Sequence, residues 1–332
     1  MPSRDSHRFR PKAFPPPQFP PQRLPLFSRM PPAVFPSIMG LLGLGLALRL
    51  GLRALGLPGG PAEMLLGAVS LLFLFSLAAY LSKIARRPGV VTEDIAVLPG
   101  RTGIAAMTLC VMLFALVLVP YDRKIAEWAV YLGLALHSVL AMLVIRYILT
   151  APEGAGGVTP VWHLHFVGFV IGGVPAAYCG LPQLALAILW LTIPVAVAIW
   201  GISLMQLIRR VPPAPLRPLL AIHLSPAALF ALLATALGQD GLAQGFVILG
   251  GGILIALLLA GRWLTRAGFS ALWGAFTFPM AAYAAALFAV GWDGAAVLVL
   301  AAALGVVPVV AVAVLKSWAA GTLAAKSNAA QA

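Results

Sequence analysis

Hydroxyl and histidine side chains recur in every second apolar stretch of this sequence. They are Ser37, Thr102, Thr108, His163, His165, His223, Ser225 and Thr277. Neutral dipoles of this kind can line a pore and favour anions without trapping them. Each hydroxyl can equally bond to a carbonyl of its own helix. The residue types therefore leave two interpretations open, a pathway for anions and ordinary helix packing.

Residues that would carry catalysis or bind a metal are missing from the same stretches. Asp, Glu, Lys and Arg are essentially absent from their centres, and the sequence contains no HExxH, GxSxG, Walker or CxxC motif. Cys110 and Cys179 lie singly in apolar runs, which indicates packing rather than a disulfide or a metal site. We therefore expect no enzyme activity, no cofactor and no bound metal.

The composition indicates a membrane environment for these side chains. Of the 332 residues, 61% are hydrophobic and only 9% are charged, and the mean hydropathy is +1.00. A soluble domain carries about 25% charged residues, because charges cover its surface. The composition therefore excludes a soluble enzyme, a disordered protein and a nucleic-acid-binding domain, and it predicts an all-α polytopic membrane protein.

Ten apolar runs have the length that crosses a bilayer, which is about 20 residues. They cover residues 33–54, 61–85, 101–120, 125–149, 158–179, 184–208, 218–238, 243–264, 269–290 and 295–316. The links between them are short, so consecutive spans must be antiparallel hairpins. No soluble domain is inserted between the spans.

Lysine and arginine in the loops predict the orientation. With a cytoplasmic N-terminus, 18 of the 22 basic residues lie on the cytoplasmic side. The four on the other side are Arg49, Arg53, Arg123 and Lys124. We expect a multi-pass protein of the inner (plasma) membrane with both termini cytoplasmic. The net charge of +13 is then a topology signal, and membrane lipid rather than nucleic acid is the expected partner.

Three regions divide the chain. Residues 1–32 form a basic, proline-rich tail that we expect to be disordered, because prolines remove backbone donors and favour extended chain. This tail could also dock a proline-binding module or anionic lipid headgroups. Residues 33–316 form the ten-helix domain, and residues 317–332 form a short cytoplasmic tail.

Proline recurs early in the odd-numbered spans, as Pro36, Pro226 and Pro279. With Gly103 and His165 at the matching places of spans three and five, the markers are roughly 60 residues apart, which indicates five repeats of two spans. Kinks at matching depth would bend the five odd spans around one axis, in a quasi-five-fold arrangement around a central pore. The even spans would form an outer ring. The alternative is that proline and glycine are simply common in membrane helices.

Span nine carries the strongest local likeness to a known family, the tellurite-resistance/dicarboxylate transporter family, which includes TehA-like proteins and plant slow anion channels. The segment Leu272–Met280 resembles that family's WAxxFP-type segment, whose phenylalanine plugs the pore. Span one, with Phe35 and Gly40, is similar to the family's first pore helix. Ser225-Pro226-Ala227 is similar to its seventh span, and residues 158–162 resemble the start of its fifth.

The resemblance implies a homotrimer with one pore in each protomer, small inorganic or organic anions as the transported species, and Phe278 as the gate. Chloride or nitrate is the first expectation, and tellurite or dicarboxylates come next. Phe276 points to another helix face, so only one of the two rings can lie on the pore axis. The candidate pore-lining residues are Phe35, Ser37, His163, His165, Ser225 and Thr277, and the candidate helix kinks are Pro36, Pro226 and Pro279.

Other functions remain open at this point. A C4-dicarboxylate or tellurite-resistance transporter could couple to protons through His163, His165 or His223, and His165 could make conductance depend on pH. The unrelated ten-span drug/metabolite exporter architecture predicts similarity between two five-span halves rather than a two-span period. A non-transporting intramembrane enzyme or scaffold would show no ion flux.

Overall fold

The computed structural model describes residues 25–152 and 156–332, which fold almost entirely into helices and contain no strand. Of the tail that we expect to be disordered, residues 1–24 lie outside the described residues. The first seven helices are α1 (Phe35–Ala54), α2 (Gly60–Arg86), α3 (Val90–Ala96), α4 (Leu98–Leu118), α5 (Arg123–Thr150), α6 (Phe169–Tyr178) and α7 (Pro182–Arg209). The remaining six are α8 (Leu224–Ala236), α9 (Asp240–Leu259), α10 (Gly261–Leu264), α11 (Thr277–Ala289), α12 (Asp293–Ala319) and α13 (Thr322–Lys326).

Nine helices in the described ranges are long and apolar enough to cross a membrane. Each matches one of the ten predicted spans within a few residues at both ends. The other predicted span, residues 158–179, is a shorter apolar helix over His163–Tyr178 that begins with a π-helical turn, His163–Val167. Thr159 precedes Pro160, and the residue before a proline is disfavoured in helical geometry. The first part of this span therefore does not join the helix.

Three of the spans begin with 3₁₀-helix and continue as α-helix. The 3₁₀ segments are Pro32–Val34, Ala214–His223 and Ala271–Phe276. Pro36, Pro226 and Pro279 each lie in the first turn of the α-helix that follows. A proline is tolerated there because the first backbone N–H groups of an α-helix have no intrahelical partner. The three prolines thus mark the junction of two helix types.

The fourth helix has a matching proline that the sequence interpretation did not count. Pro99 is the second residue of α4, as Pro36 is of α1. The predicted span began at residue 101, after Pro99. In the structure the helix begins three residues earlier, at Leu98.

Five helices contact one another in a closed sequence of neighbours. Helix α1 packs against α4, α4 against α6, α6 against α8, α8 against α11, and α11 against α1. Each of the other long helices packs on the member of this set that precedes it, so that α2, α5, α7, α9 and α12 lie outside. In the most apolar part of α1, 78% of the residues are buried, against 17% in α9. The exposed faces of the outer helices are apolar, which suits a lipid environment.

Glycines allow α1 and α11 to approach closely. A Cβ atom at Gly40 would lie 2.2 Å from Thr277 Oγ1, and one at Gly43 would lie 2.8 Å from Phe278 Cδ2. A side chain larger than hydrogen at Gly40 or Gly43 would require the Thr277 or Phe278 side chain to shift. The two glycines therefore determine where the side chains at the start of α11 lie.

A buried ion pair joins the ends of several helices. The Lys83 and Asp94 side chains are 0% exposed, and Lys83 Nζ lies 2.8 Å from Asp94 Oδ2. The ammonium also donates to the Met30 carbonyl oxygen at 3.0 Å, and the Tyr80 hydroxyl donates to Asp94 Oδ2 at 2.9 Å. The backbone N–H of Ala330 donates to Asp94 Oδ1 at 2.8 Å. The pair thus connects α2, α3, the segment before α1 and the C-terminal segment.

Candidate functional site

Two cavities lie at opposite ends of the five neighbouring helices. The first, which we call the amino-end cavity, has a volume of about 40 Å³ and is lined by the early part of each of the five spans. One lining residue from each span is Pro36, Thr102, Leu164, Ser225 and Pro279. Its lining is almost wholly apolar, and the Thr102 hydroxyl donates to the Leu98 carbonyl of its own helix at 2.8 Å.

The second, the carboxyl-end cavity, has a volume of about 230 Å³ and is lined by later residues of the same five spans. One lining residue from each span is Arg53, Val119, Tyr178, Leu232 and Ala285. Early residues line one cavity and late residues line the other, so the five helices run in the same direction. This direction agrees with the alternation of antiparallel spans that the short loops predicted.

Phe278 lies between the two cavities. Its side chain lines both of them, and among the described residues it is the one that their linings share. It also lines a third cavity of about 20 Å³ beside them. Phe278 is 5% exposed, and its ring rests against the backbone of α1 at Gly43. An apolar residue therefore lies where the linings of the two cavities meet.

Phe276 is placed differently. Its ring packs edge-on against Trp273, with ring centroids 5.8 Å apart, and it lines neither cavity. Residue 276 ends the 3₁₀ segment and residue 278 is the second residue of α11. The two rings therefore point in different directions.

Two of the six candidate pore-lining residues lie at the cavities. Ser225 lines the amino-end cavity, and His163 lines the third cavity. His163 Nε2 lies 3.0 Å from His223 Nδ1, so one of these ring nitrogens donates to the other. His163 begins the π-helical turn that precedes α6, and His223 ends the 3₁₀ segment that precedes α8, 60 residues later in the sequence.

The other four candidates are buried between helices and line none of these three cavities. Phe35 packs edge-on against Tyr80, with centroids 6.2 Å apart. The Thr277 hydroxyl donates to the Gly274 carbonyl at 2.7 Å. Ser37 Oγ and both ring nitrogens of His165 have no hydrogen-bond partner within residues 25–152 and 156–332.

The carboxyl-end cavity contains two arginines that the sequence analysis treated only as loop charges. Arg49 binds Glu63 through two hydrogen bonds, from Nε at 2.7 Å and from Nη2 at 2.6 Å. The Tyr121 hydroxyl donates to the same carboxylate at 2.6 Å, and this bond raises the pKa of the Tyr121 phenol. Arg53 lies four residues after Arg49 on α1. That spacing puts both side chains on one helix face, which was the available sequence signal.

A family model described as voltage-dependent anion channel, SLAC1, matches residues 29–318. This chain belongs to the SLAC1 family. The resemblance to TehA-like proteins and plant slow anion channels is thereby confirmed. No curated protein matches the sequence. Members of the SLAC1 family are channels and transporters rather than enzymes, so the SLAC1-family chain is a multi-pass membrane protein that moves anions.

Proposed function

We propose that this SLAC1-family protein is an anion channel whose pore runs between α1, α4, α6, α8 and α11 and is closed by Phe278. One observation carries the proposal, which is that the Phe278 side chain lines both the amino-end and the carboxyl-end cavity. The closed sequence of contacts among the five helices supports a quasi-five-fold ring around that pore. His163 and Ser225 would then line the pore near the ring.

The closed state follows from the size and polarity of the obstruction. A hydrated anion must shed water to pass an apolar constriction, and such constrictions gate by excluding water. We place the barrier at the Phe278 ring, because Phe278 is the residue that the linings of the two cavities share within the described residues. Opening then requires that the Phe278 ring move out of the path rather than that whole helices separate.

The test is anion flux in proteoliposomes, with Phe278→Ala compared with the native chain. We expect a large, ohmic, anion-selective increase, because the truncation joins the two cavities. Phe276→Ala is the matched control, since it removes an equal ring two residues away that lines neither cavity. Equal flux from both variants and the native chain would contradict the pore and the gate together.

The small anions we expect are chloride and nitrate, and the basic residues in the loops support a cytoplasmic mouth that concentrates them. We further propose that both termini face the cytoplasm across the inner (plasma) membrane and that the protein is a homotrimer. The apolar outer faces of α2, α5, α7, α9 and α12 support contact with lipid or with other copies.

The histidine pair supports a second candidate, a proton-coupled carrier for C4-dicarboxylates or tellurite. His163 and His223 share a hydrogen bond beside a cavity that Phe278 also lines. A carrier of this kind would stop when a protonophore collapses the proton gradient. Flux that continues unchanged after the protonophore, in the native chain and in Phe278→Ala, excludes the carrier.

A further inference from the structure

The carboxyl-end cavity forms one mouth of the proposed pore, and the helix ends around this carboxyl-end mouth disfavour anions. The five helices that line it all direct their carboxyl ends toward it. The carboxyl end of a helix carries a partial negative charge, because its last carbonyls have no intrahelical donor. Five such ends around one mouth repel anions, whereas the five amino ends at the other mouth attract them. An anion pathway therefore needs positive charge at the carboxyl end.

Among the residues that the structure describes, Arg49 and Arg53 are the charged side chains that line this cavity, and none of the lining residues is Asp or Glu. The donors of the Arg49 guanidinium already have partners in the protein. Its guanidinium binds Glu63 through two nitrogens and the Val117 carbonyl through a third, at 3.3 Å. The Glu63 carboxylate cancels its charge and fixes its position. Arg49 therefore contributes little net field to the cavity.

Arg53 is different. Its guanidinium is exposed, and it has no hydrogen-bond or ion-pair partner within residues 25–152 and 156–332. It lies in the last turn of α1, where a cation offsets the partial charge of the helix end. Tyr178, the last residue of α6, lines the same cavity, and its hydroxyl has no hydrogen-bond partner in the described part of the chain. The mouth thus presents one uncompensated guanidinium and one hydroxyl.

We propose that Arg53 is the anion-capture residue of the carboxyl-end mouth and that it takes a monovalent inorganic anion such as chloride or nitrate. A guanidinium offers several N–H donors in a plane, which suits both a spherical ion and a planar oxyanion. A single exposed cation in a wide cavity binds weakly, so the anion can leave again, as conduction requires. Because Arg49 is held by Glu63 and its charge is neutralised, Arg53 is the residue that binds the anion. This inference rests on the proposed channel function.

The flux test uses the Phe278→Ala background, in which the pore is open. Arg53→Gln is expected to raise the half-saturating chloride concentration for entry from the carboxyl-end side by roughly fivefold, which is what the loss of one charge near a solvated site produces. The effect should shrink as ionic strength rises. Arg53→Lys should retain most of the native value, because the charge remains.

Arg123→Gln is the matched control, because Arg123 is an exposed arginine at the start of α5, near the same end of the bundle, and does not line the cavity. If Arg53→Gln changes the half-saturating chloride concentration no more than Arg123→Gln does, the capture site is overturned while the pore proposal stands. Absence of flux in Phe278→Ala itself is a failure of the proposed function instead.

A second measurement tests the site without flux. Purified native protein in detergent should broaden the chloride NMR line through exchange with a bound state, and Arg53→Gln should remove that broadening at unchanged helical content. Broadening that is equal in the native chain, Arg53→Gln and Arg123→Gln overturns the inference whatever the flux shows.

Discussion

The position of the Phe278 ring depends on the residue that faces it across the interface of α1 and α11. A Cβ atom at Gly43 would lie 2.8 Å from Phe278 Cδ2 and 3.2 Å from Cε2. Gly43→Ala therefore overpacks the closed position of the ring, at about 1–3 kcal/mol. We expect the closed state to lose population by roughly tenfold and the basal anion flux in proteoliposomes to rise.

Gly45→Ala is the control for this prediction, because a Cβ there meets the Leu66 side chain of α2 at 2.5 Å and not Phe278. In the Phe278→Ala background, Gly43→Ala should have no further effect, since the ring it displaces is gone. Flux that rises equally with Gly45→Ala, or additively with Phe278→Ala, would show that Gly43 acts on general packing.

At the scale of elements, the Lys83–Asp94 pair holds α3 and the C-terminal segment against α2. Both side chains are fully buried, so the removal of one partner leaves an unpaired charge out of contact with water. Such a change costs about 3–5 kcal/mol. We expect Asp94→Asn and Lys83→Met each to lower the midpoint of thermal unfolding in detergent by several degrees.

Lys124→Met is the matched control, because Lys124 pairs with Glu127 at 2.9 Å while its side chain is 69% exposed. Exposed pairs contribute about 0–1 kcal/mol, so the midpoint should hardly change. The double variant Lys83→Met with Asp94→Asn should be less destabilised than the sum of the single variants. Additive losses would mean that the two side chains act separately.

At the scale of the whole molecule, the orientation can be tested with single cysteines. Gly59 and Gly89 are exposed loop residues whose Cβ positions have no close neighbour. They lie at opposite ends of α2. In a chain with Cys110→Ala and Cys179→Ala, a membrane-impermeant maleimide applied to intact cells should label Gly59→Cys and leave Gly89→Cys unlabelled until the cells are opened. The reverse pattern would place both termini outside.

The oligomeric state is a second property of the whole molecule. The outer helices carry many exposed apolar side chains, and a trimer would cover part of that surface. Native mass spectrometry of the purified protein should give a mass three times that of the 34.7 kDa chain. A monomer that remains stable after mild detergent exchange would contradict the trimer.

Much of this fold follows from local sequence. The bounds of nine spans were predictable to within a few residues, because hydropathy over about 20 residues is a local property. The fifth span was the exception, since its run of apolar residues continues through Thr159-Pro160 while its helix starts only afterwards. Phe278 was singled out through a family likeness, and its place between two cavities was not visible in the spacing of residues.

By itself, the sequence determined that this protein spans a membrane many times, in which order its helices follow, and to which family it belongs. Each of these properties depends on composition and on the local sequence of short segments. The tertiary structure decided which side chains meet, because that depends on the rotation and depth of helices far apart in the chain. It paired Arg49 with Glu63 and, within the described residues, left the Arg53 side chain without a hydrogen-bond or ion-pair partner, although both arginines belong to one helix face. It buried Lys83, near the end of the second predicted span, against Asp94, which lies between the second and third predicted spans.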